Sequence, residues 1–444
     1  MQATDTATPG LRRTLGPLML WGLGVGYVIS GMYFGWNLGL PVGGTLGLAA
    51  ATGLIMLLYI CFTFSYTELA CALPRAGGVY DYALQALGPR AAFVAGMAQM
   101  LEFVFAPPAI AAALGAYFHI FLPQVPVTIM AIAAYGVFTA LNIYGIKAAA
   151  LFELVITILA VGELLLFAGL TLPHVQWQHL TEQALPHGWG GAWAAIPFAL
   201  WFFLGLEGVA NVAEETKNPQ RNVGIGFGSA LLTLMALCVL TFIGSVGVGG
   251  WPAVVYPPGS TEASDSPLPL ALAQITGPQS AMYHLLVSIG LLGLVASFHG
   301  IILAAGRATF ELGRVGQLPD WLGRVHPRFG TPANALVLNM GIGILALLTG
   351  KTGDIITMAC FGAILLYVFG MVSMLQLRRR QPQLVRPYRA PLYPYLPAIA
   401  LLLALVCLVA MVAFYPGLFA LFAGIIAVVY IWRRPGGTKW PQTP

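Results

Sequence analysis

Apolar runs near the length that crosses a bilayer follow one another from residue 16 to residue 432, parted by short polar joints, and the basic residues gather on alternate joints. A membrane helix needs about 20 predominantly apolar residues, whereas a membrane strand needs about ten in an alternating pattern, so continuous runs argue for helices and against a β-barrel. Cutting the chain at its polar joints gives twelve spans: 16–40, 44–71, 91–118, 125–143, 147–171, 191–216, 223–249, 281–306, 332–350, 353–377, 393–414 and 416–432. With a cytoplasmic N-terminus, 19 of the 20 Lys and Arg residues fall on cytoplasmic segments and Lys351 alone lies outside. One span missed or invented would reverse every later loop, so the bias supports the count and the orientation together. The predicted location is the cell's inner (plasma) membrane, multi-pass, with both termini cytoplasmic.

Charge and cysteine usage exclude several function classes. Only 8% of residues are charged and 59% are hydrophobic, and the basic clusters alternate with spans and face an anionic leaflet, which disfavours nucleic acid as a partner. The first span is too long and too Gly-rich for a cleaved signal. Five cysteines, at 61, 71, 238, 360 and 407, fall in or beside apolar runs without metal-type spacing, so neither a disulfide framework nor a zinc site is expected. No cofactor is expected: the Gly-x-Gly matches lie inside spans, and among seven histidines only His299 is deep, short of the facing pairs that haem requires. A channel would need a polar stripe or a repeated filter, and neither is visible. These observations point away from an enzyme and toward a transporter.

Carboxylates inside a membrane are costly and mark function, so their depth matters. At about 1.5 Å per helical residue, Glu68 and Glu153 lie roughly 10 Å from Arg75 and Lys147 and are expected to pair structurally at the cytoplasmic gate. Glu102, twelve residues from Arg90, and Glu207, ten from Lys217, fall about 15 to 18 Å deep, near the midplane of a core about 30 Å thick. Glu163 is about 24 Å up, where an outer vestibule and the headgroups are both open readings. His299, about 12 Å from Arg307, could meet substrate, relay a proton, or sit neutral against a carbonyl.

The first span reads GLGVGYVISGMYFGWN and the sixth ALWFFLGLEGVANVAEE, each interrupted by small residues near its middle. Gly costs a helix about 1 kcal/mol relative to Ala, and an unwound turn must satisfy its amides and carbonyls inside the protein. Two Gly-interrupted helices five spans apart are the pattern of inverted-repeat secondary transporters, whose site forms where both unwind.

The stretches ELACALPRAGGVYDYA and GRATFELGRVGQLPDWLGRVHPRFGTPANA, with FFLGLEGVANVAEETKNPQR, resemble signatures of the amino acid/polyamine/organocation (APC) permeases. VISGMYFGWN, EFVFAPPAIAAALGAYF and ASFHGIILAAGR resemble its ethanolamine permease branch. The resemblance implies an all-α LeuT-like core of ten helices in a 5+5 inverted repeat (16–377; repeats about 16–171 and 191–377), with helices 1 and 6 broken. A basic cytoplasmic loop (378–392), two peripheral helices (393–432) and cytoplasmic tails (1–15 and 433–444) complete it. Amino-acid-transporting relatives carry a Gly-Ser-Gly-like turn in span one; the matching place here is Ser30, Gly31, Met32, and Met32 puts bulk where a glycine would bare its amide. That departure favours a small cationic amine, ethanolamine first, over an amino acid, which stays open as the alternative.

The expected substrate residues are Ile29, Ser30, Gly31, Met32, Tyr33, Glu102, Trp201, Phe202, Gly205, Glu207, Ser297 and His299, with Glu207, Glu102 and His299 as candidates for proton coupling or gating. The expected partners are the amine, the lipid bilayer and a coupled proton. Symport, exchange and uniport are all compatible with these residues.

Overall fold

The computed structural model describes residues 15–75, 77–145, 149–211 and 216–433; the expected tails, Lys147 and the polar end of span six lie outside these. Every named element is helical, and the one β contact is an isolated parallel bridge between Leu15 and Thr216. In chain order the helices are α1 (Pro17–Val28), α2 (Ser30–Tyr33), a 3-10 turn (Trp36–Gly39), α3 (Leu40–Ala72), α4 (Val79–Leu87), α5 (Pro89–Phe121), α6 (Val127–Tyr144) and α7 (Ala149–Thr171). They continue after a 3-10 turn (Leu172–His174) with α8 (Trp177–Thr181), α9 (Gly188–Ala194), α10 (Ile196–Trp201), α11 (Gly208–Asn211), α12 (Pro219–Gly249), α13 (Trp251–Val255) and α14 (Pro267–Thr276). The last are α15 (Ala281–Arg314), α16 (Ala333–Leu347), α17 (Thr352–Arg380), α18 (Tyr395–Phe414) and α19 (Pro416–Trp432).

Among the described residues, eight helices are long and apolar enough to cross a membrane. The expected spans 16–40 and 191–216 are not among them because the chain breaks both into short pieces, and α16 and α19 are apolar but shorter. Burial separates centre from rim: the most apolar window of α17 is 78% buried and that of α5 72%, against 28% for α18 and 33% for α6. The centre is therefore α5, packed against both α15 and α17; of the interrupted helices, α1 packs on α12, α7 and α15 and α10 on α3 and α17, while α18 and α19 lie to the side against α17.

The two breaks differ in kind. In the sixth segment, α10 ends at Trp201 and α11 begins at Gly208, and the intervening residues form i-to-i−3 turns, with Phe203 N–H bonded to the Leu200 carbonyl at 3.0 Å and Gly208 N–H to that of Gly205 at 3.1 Å. Gly205 carries φ +93°, which a side chain would make strained, so a glycine is required there. In the first segment Ile29 interrupts the helix while keeping right-handed dihedrals, and the larger departure comes later, at extended Phe34 and Gly35 (φ +89°).

Candidate functional site

The expected midplane acids come together. Glu102 projects from the middle of α5 and Glu207 from the turn before α11, and both are fully buried. Their carboxyls are close enough to interact, and the Gly205 amide is turned toward Glu102. Tyr367 on α17 donates to Glu207 Oε2 at 3.1 Å, and its hydroxyl lies 2.5 Å from that of Tyr59 on α3. Both carboxyl oxygens of Glu102 and Oε1 of Glu207 lack a well-aligned hydrogen-bond partner. Such a group is costly to bury unless a proton, a cation or water completes it.

Span-one residues meet the sixth segment through Gly31. A Cβ there would sit 2.5 Å from the Trp201 carbonyl oxygen and 3.1 Å from Phe202 Cα, so the contact is backbone to backbone. Ser297 on α15 donates to the Tyr27 carbonyl at 2.7 Å and lies 2.8 Å from Ser30 Oγ, tying α15 to the Ile29 interruption. Met32 is buried and its carbonyl accepts from Trp36 Nε1 at 3.1 Å. Trp201 meets Phe34 edge-on, with centroids 5.4 Å apart and its Nε1 unpartnered, while Phe202 stacks on Trp36 at 5.8 Å. Tyr33 donates to Glu163 Oε2 at 2.7 Å, which gives Glu163 a protein partner rather than a headgroup role.

Two cavities flank the break. The larger, about 350 Å³, reaches from Tyr27 and Gly208 past Gln99 and Phe103 to Arg307 and Glu311 on the C-terminal part of α15. The smaller, about 10 Å³, is bounded by Tyr27, Ser30, Ile110, Trp201, Leu204 and Ile301. Tyr27 bounds both. Neither Glu102 nor Glu207 lines these cavities: the turn from Phe202 to Glu207 stands between, with Leu204 toward the small cavity and the Gly205 amide toward Glu102. His299 lines neither cavity; its Nδ1 lies 3.0 Å from Asn142 Nδ2 on α6 and its ring meets Phe138 edge-on.

Sequence reasoning missed Tyr27 and Gln99. Gln99 Oε1 is buried and unpartnered on the wall of the larger cavity, three residues before Glu102, and a polar residue one turn from a buried acid was the available signal. The depth estimate also treated Glu68 and Glu153 alike, and the structure separates them. Glu68 receives two 2.7 Å hydrogen bonds from Arg378, a third from the Ala390 amide, and has Arg386 at 3.2 Å. Glu153 has no ion pair among the described residues, and its Oε1 has no hydrogen-bond partner.

The amino acid permease family matches residues 15–433. This chain belongs to that family. The permease is 31% identical to the uncharacterized transporter R00093 of Rhizobium meliloti over 90% of this chain and 88% of that one. It is 27% identical to the branched-chain amino acid permease BcaP of Bacillus subtilis, again over 90% and 88%. With the low-affinity putrescine importer PlaP of Escherichia coli it shares 26% identity over 84% of the permease and 82% of PlaP. These relatives are named as permeases and transporters, not enzymes, and with the long apolar helices they make the permease a multi-pass membrane protein.

Proposed function

We propose that the permease imports a small cationic amine, ethanolamine first, by alternating access, within a twelve-helix, LeuT-like 5+5 arrangement whose termini are cytoplasmic. One observation carries the choice of a cation. Among the described residues the buried acids are five glutamates, Glu68, Glu102, Glu153, Glu163 and Glu207, while the one base whose side chain is as deeply buried, Arg386 at 6% exposure, is paired with Glu68. The other four glutamates have no basic partner among the described residues. Four such acids favour a solute that brings positive charge, because Coulomb interactions are far stronger in a dry interior than in water.

In this reading the amine binds between the Ile29 interruption and the Trp201–Gly208 turn, where Ser30, Ser297, Tyr27 and Trp201 are gathered. The Glu102–Glu207 pair supplies counter-charge from behind the turn. The larger cavity is the inner vestibule of an inward-facing state, and Tyr27 is its inner limit. An amino acid remains the second reading, favoured by the family itself and by the relative named for branched-chain substrates.

Proteoliposomes offered radiolabelled ethanolamine, putrescine or a branched-chain amino acid in separate uptake assays separate the two. Uptake of ethanolamine is expected. Uptake of amino acids alone overturns the amine reading, whereas uptake of putrescine but not ethanolamine keeps the cation and changes its size.

A further inference from the structure

Arg433 closes α19, a peripheral helix that buries only Phe422 and Ile426, and its amide bonds to the Val429 carbonyl at 3.0 Å. A basic residue at the end of a lipid-facing span ordinarily carries its charge out to the headgroups. This one turns inward. Its guanidinium lies over the Phe93 ring at 4.5 Å and over the Tyr430 ring at 4.3 Å, and Nη1 donates to Gln317 Oε1 at 2.6 Å. Phe93 is fully buried near the start of α5. Gln317 is buried in the turn after α15, where its backbone amide and that of Leu318 bond to the Leu312 carbonyl at 2.8 and 3.0 Å. One side chain thus joins the ends of three helices. A planar guanidinium suits the place, because it stacks on rings through its face while donating through its edge, which an ammonium does not.

The connection continues to the large cavity. A guanidinium only donates, so the carboxamide oxygen of Gln317 has to face Arg433 and its amino group has to point elsewhere. That group is buried within reach of the Tyr80 hydroxyl on α4, without a well-aligned hydrogen bond, and the charge of Arg433 reaches the same hydroxyl. Tyr80 is a wall residue of the large cavity. Its ring rests on bare backbone of α5: a Cβ on Gly96 would lie 2.9 Å from Tyr80 Cδ2 and 2.8 Å from Leu312 Cδ2. The ring therefore has a firm support on one side, a tether at its hydroxyl, and the cavity beside it.

We propose that Arg433 is a positioning residue for transport: from the end of α19 it orients Gln317 and so holds Tyr80 against α5, clear of the large cavity. Without it the carboxamide is free to turn over, the Tyr80 hydroxyl loses the donor that faces it, and the ring swings from Gly96 into the cavity that it now borders. A helix outside the central bundle thereby keeps the passage open through a single side chain. The bearing on transport rests on the reading of that cavity as the inner vestibule; the holding of Tyr80 does not.

Ala304 of α15 lines the same cavity and is half-buried, and the five native cysteines are buried. Ala304→Cys therefore gives the full-length purified protein one thiol that a water-soluble maleimide reaches through the cavity. Relative to that chain, adding Arg433→Gln should slow labelling by at least about twofold, the lower end of the coupling seen between neighbouring residues. Gln317→Leu should slow it as much, and the two together no further, because they act on one tether. An unchanged or faster rate with Arg433→Gln, or falls that multiply in the double variant, overturns the proposal. Tyr80→Ala removes the ring, so adding Arg433→Gln to it should change nothing; a further fall there assigns Arg433 to general stability and overturns the proposal as well. In proteoliposomes, Arg433→Gln should lower uptake of whichever of radiolabelled ethanolamine, putrescine and leucine the wild type accepts. Slowed labelling with unchanged uptake overturns the bearing on transport, and absence of ethanolamine uptake strikes the substrate reading while the labelling result still decides the role of Arg433.

Discussion

Adding one methyl group at Gly31 should disable the permease without touching any charged residue. The Cβ of Gly31→Ala would fall 2.5 Å from the Trp201 carbonyl oxygen, 3.1 Å from Phe202 Cα and 3.3 Å from the Trp201 carbonyl carbon. Real Cβ contacts essentially never fall below 3.0 Å, so α2 and the turn after α10 must separate by at least 0.5 Å. All three neighbours are backbone atoms and no side-chain rotamer can absorb the shift. Overpacking of a well-packed interior costs about 1–3 kcal/mol, which corresponds to roughly 5- to 150-fold in an equilibrium constant. That cost falls where the two broken helices meet, so uptake should fall by a factor in that range and the melting temperature should drop. Gly53→Ala is the control: nothing lies within 4 Å of its Cβ on α3, and replacing a helical glycine by alanine should hold or raise stability by up to about 1 kcal/mol. Melting temperature in detergent and initial uptake rate in proteoliposomes check both variants. Gly31→Ala with wild-type values for both would refute the backbone contact as a constraint on transport.

Glu102→Gln and Glu207→Gln are each expected to lower uptake with normal expression and folding, since each leaves the carboxyl pair one charge short; wild-type uptake in both removes the counter-charge argument. Glu68→Gln breaks a buried pair with Arg378 and Arg386, and loss of one partner of such a pair costs about 3–5 kcal/mol. Arg378 keeps 20% exposure, which places the expected loss near the lower bound, read as a fall in melting temperature. In the loop between α13 and α14, burial pushes the Asp265 carboxyl up to about 6 against a hydrogen bond from Thr352 that pulls it down. A folded value above the ordinary 3.8 means that the native loop holds the proton more tightly. Its stabilisation is therefore present at low pH and lost as pH rises from about 4 through about 6, and Asp265→Asn should flatten the melting temperature across that window.

What the sequence made legible was one-dimensional. Gly205 and Glu207 declared a break and a buried acid, and both are where the pattern placed them, because glycine and carboxylate are each costly in an apolar helix. Depth along the helix axis put Glu102 and Glu207 at the same level, but rise per residue carries no information about azimuth. That they face one another, that His299 faces Asn142, and that Glu68, unlike Glu153, has basic partners among the described residues are all matters of which helix lies beside which. Such pairings join residues far apart in the chain, as Glu68 and Arg378 are, and no local pattern encodes them. Span one shows a subtler limit. The resemblance directed attention to Ser30–Met32, which stays a helical turn, while the stronger departure sits at Phe34 and Gly35, where nothing in the hydrophobic pattern changes.

Tyr27 ties the two cavities to the spacing of the helices around it. Its ring is held between Gly208 and Gly300, where a Cβ would lie 2.9 Å and 2.6 Å away. A wall clamped this closely on both sides moves only when its neighbours move, because a close-packed interior leaves no slack for one side chain to shift alone. A methyl group added at either glycine would therefore push on the ring, and through the ring on the walls of both cavities.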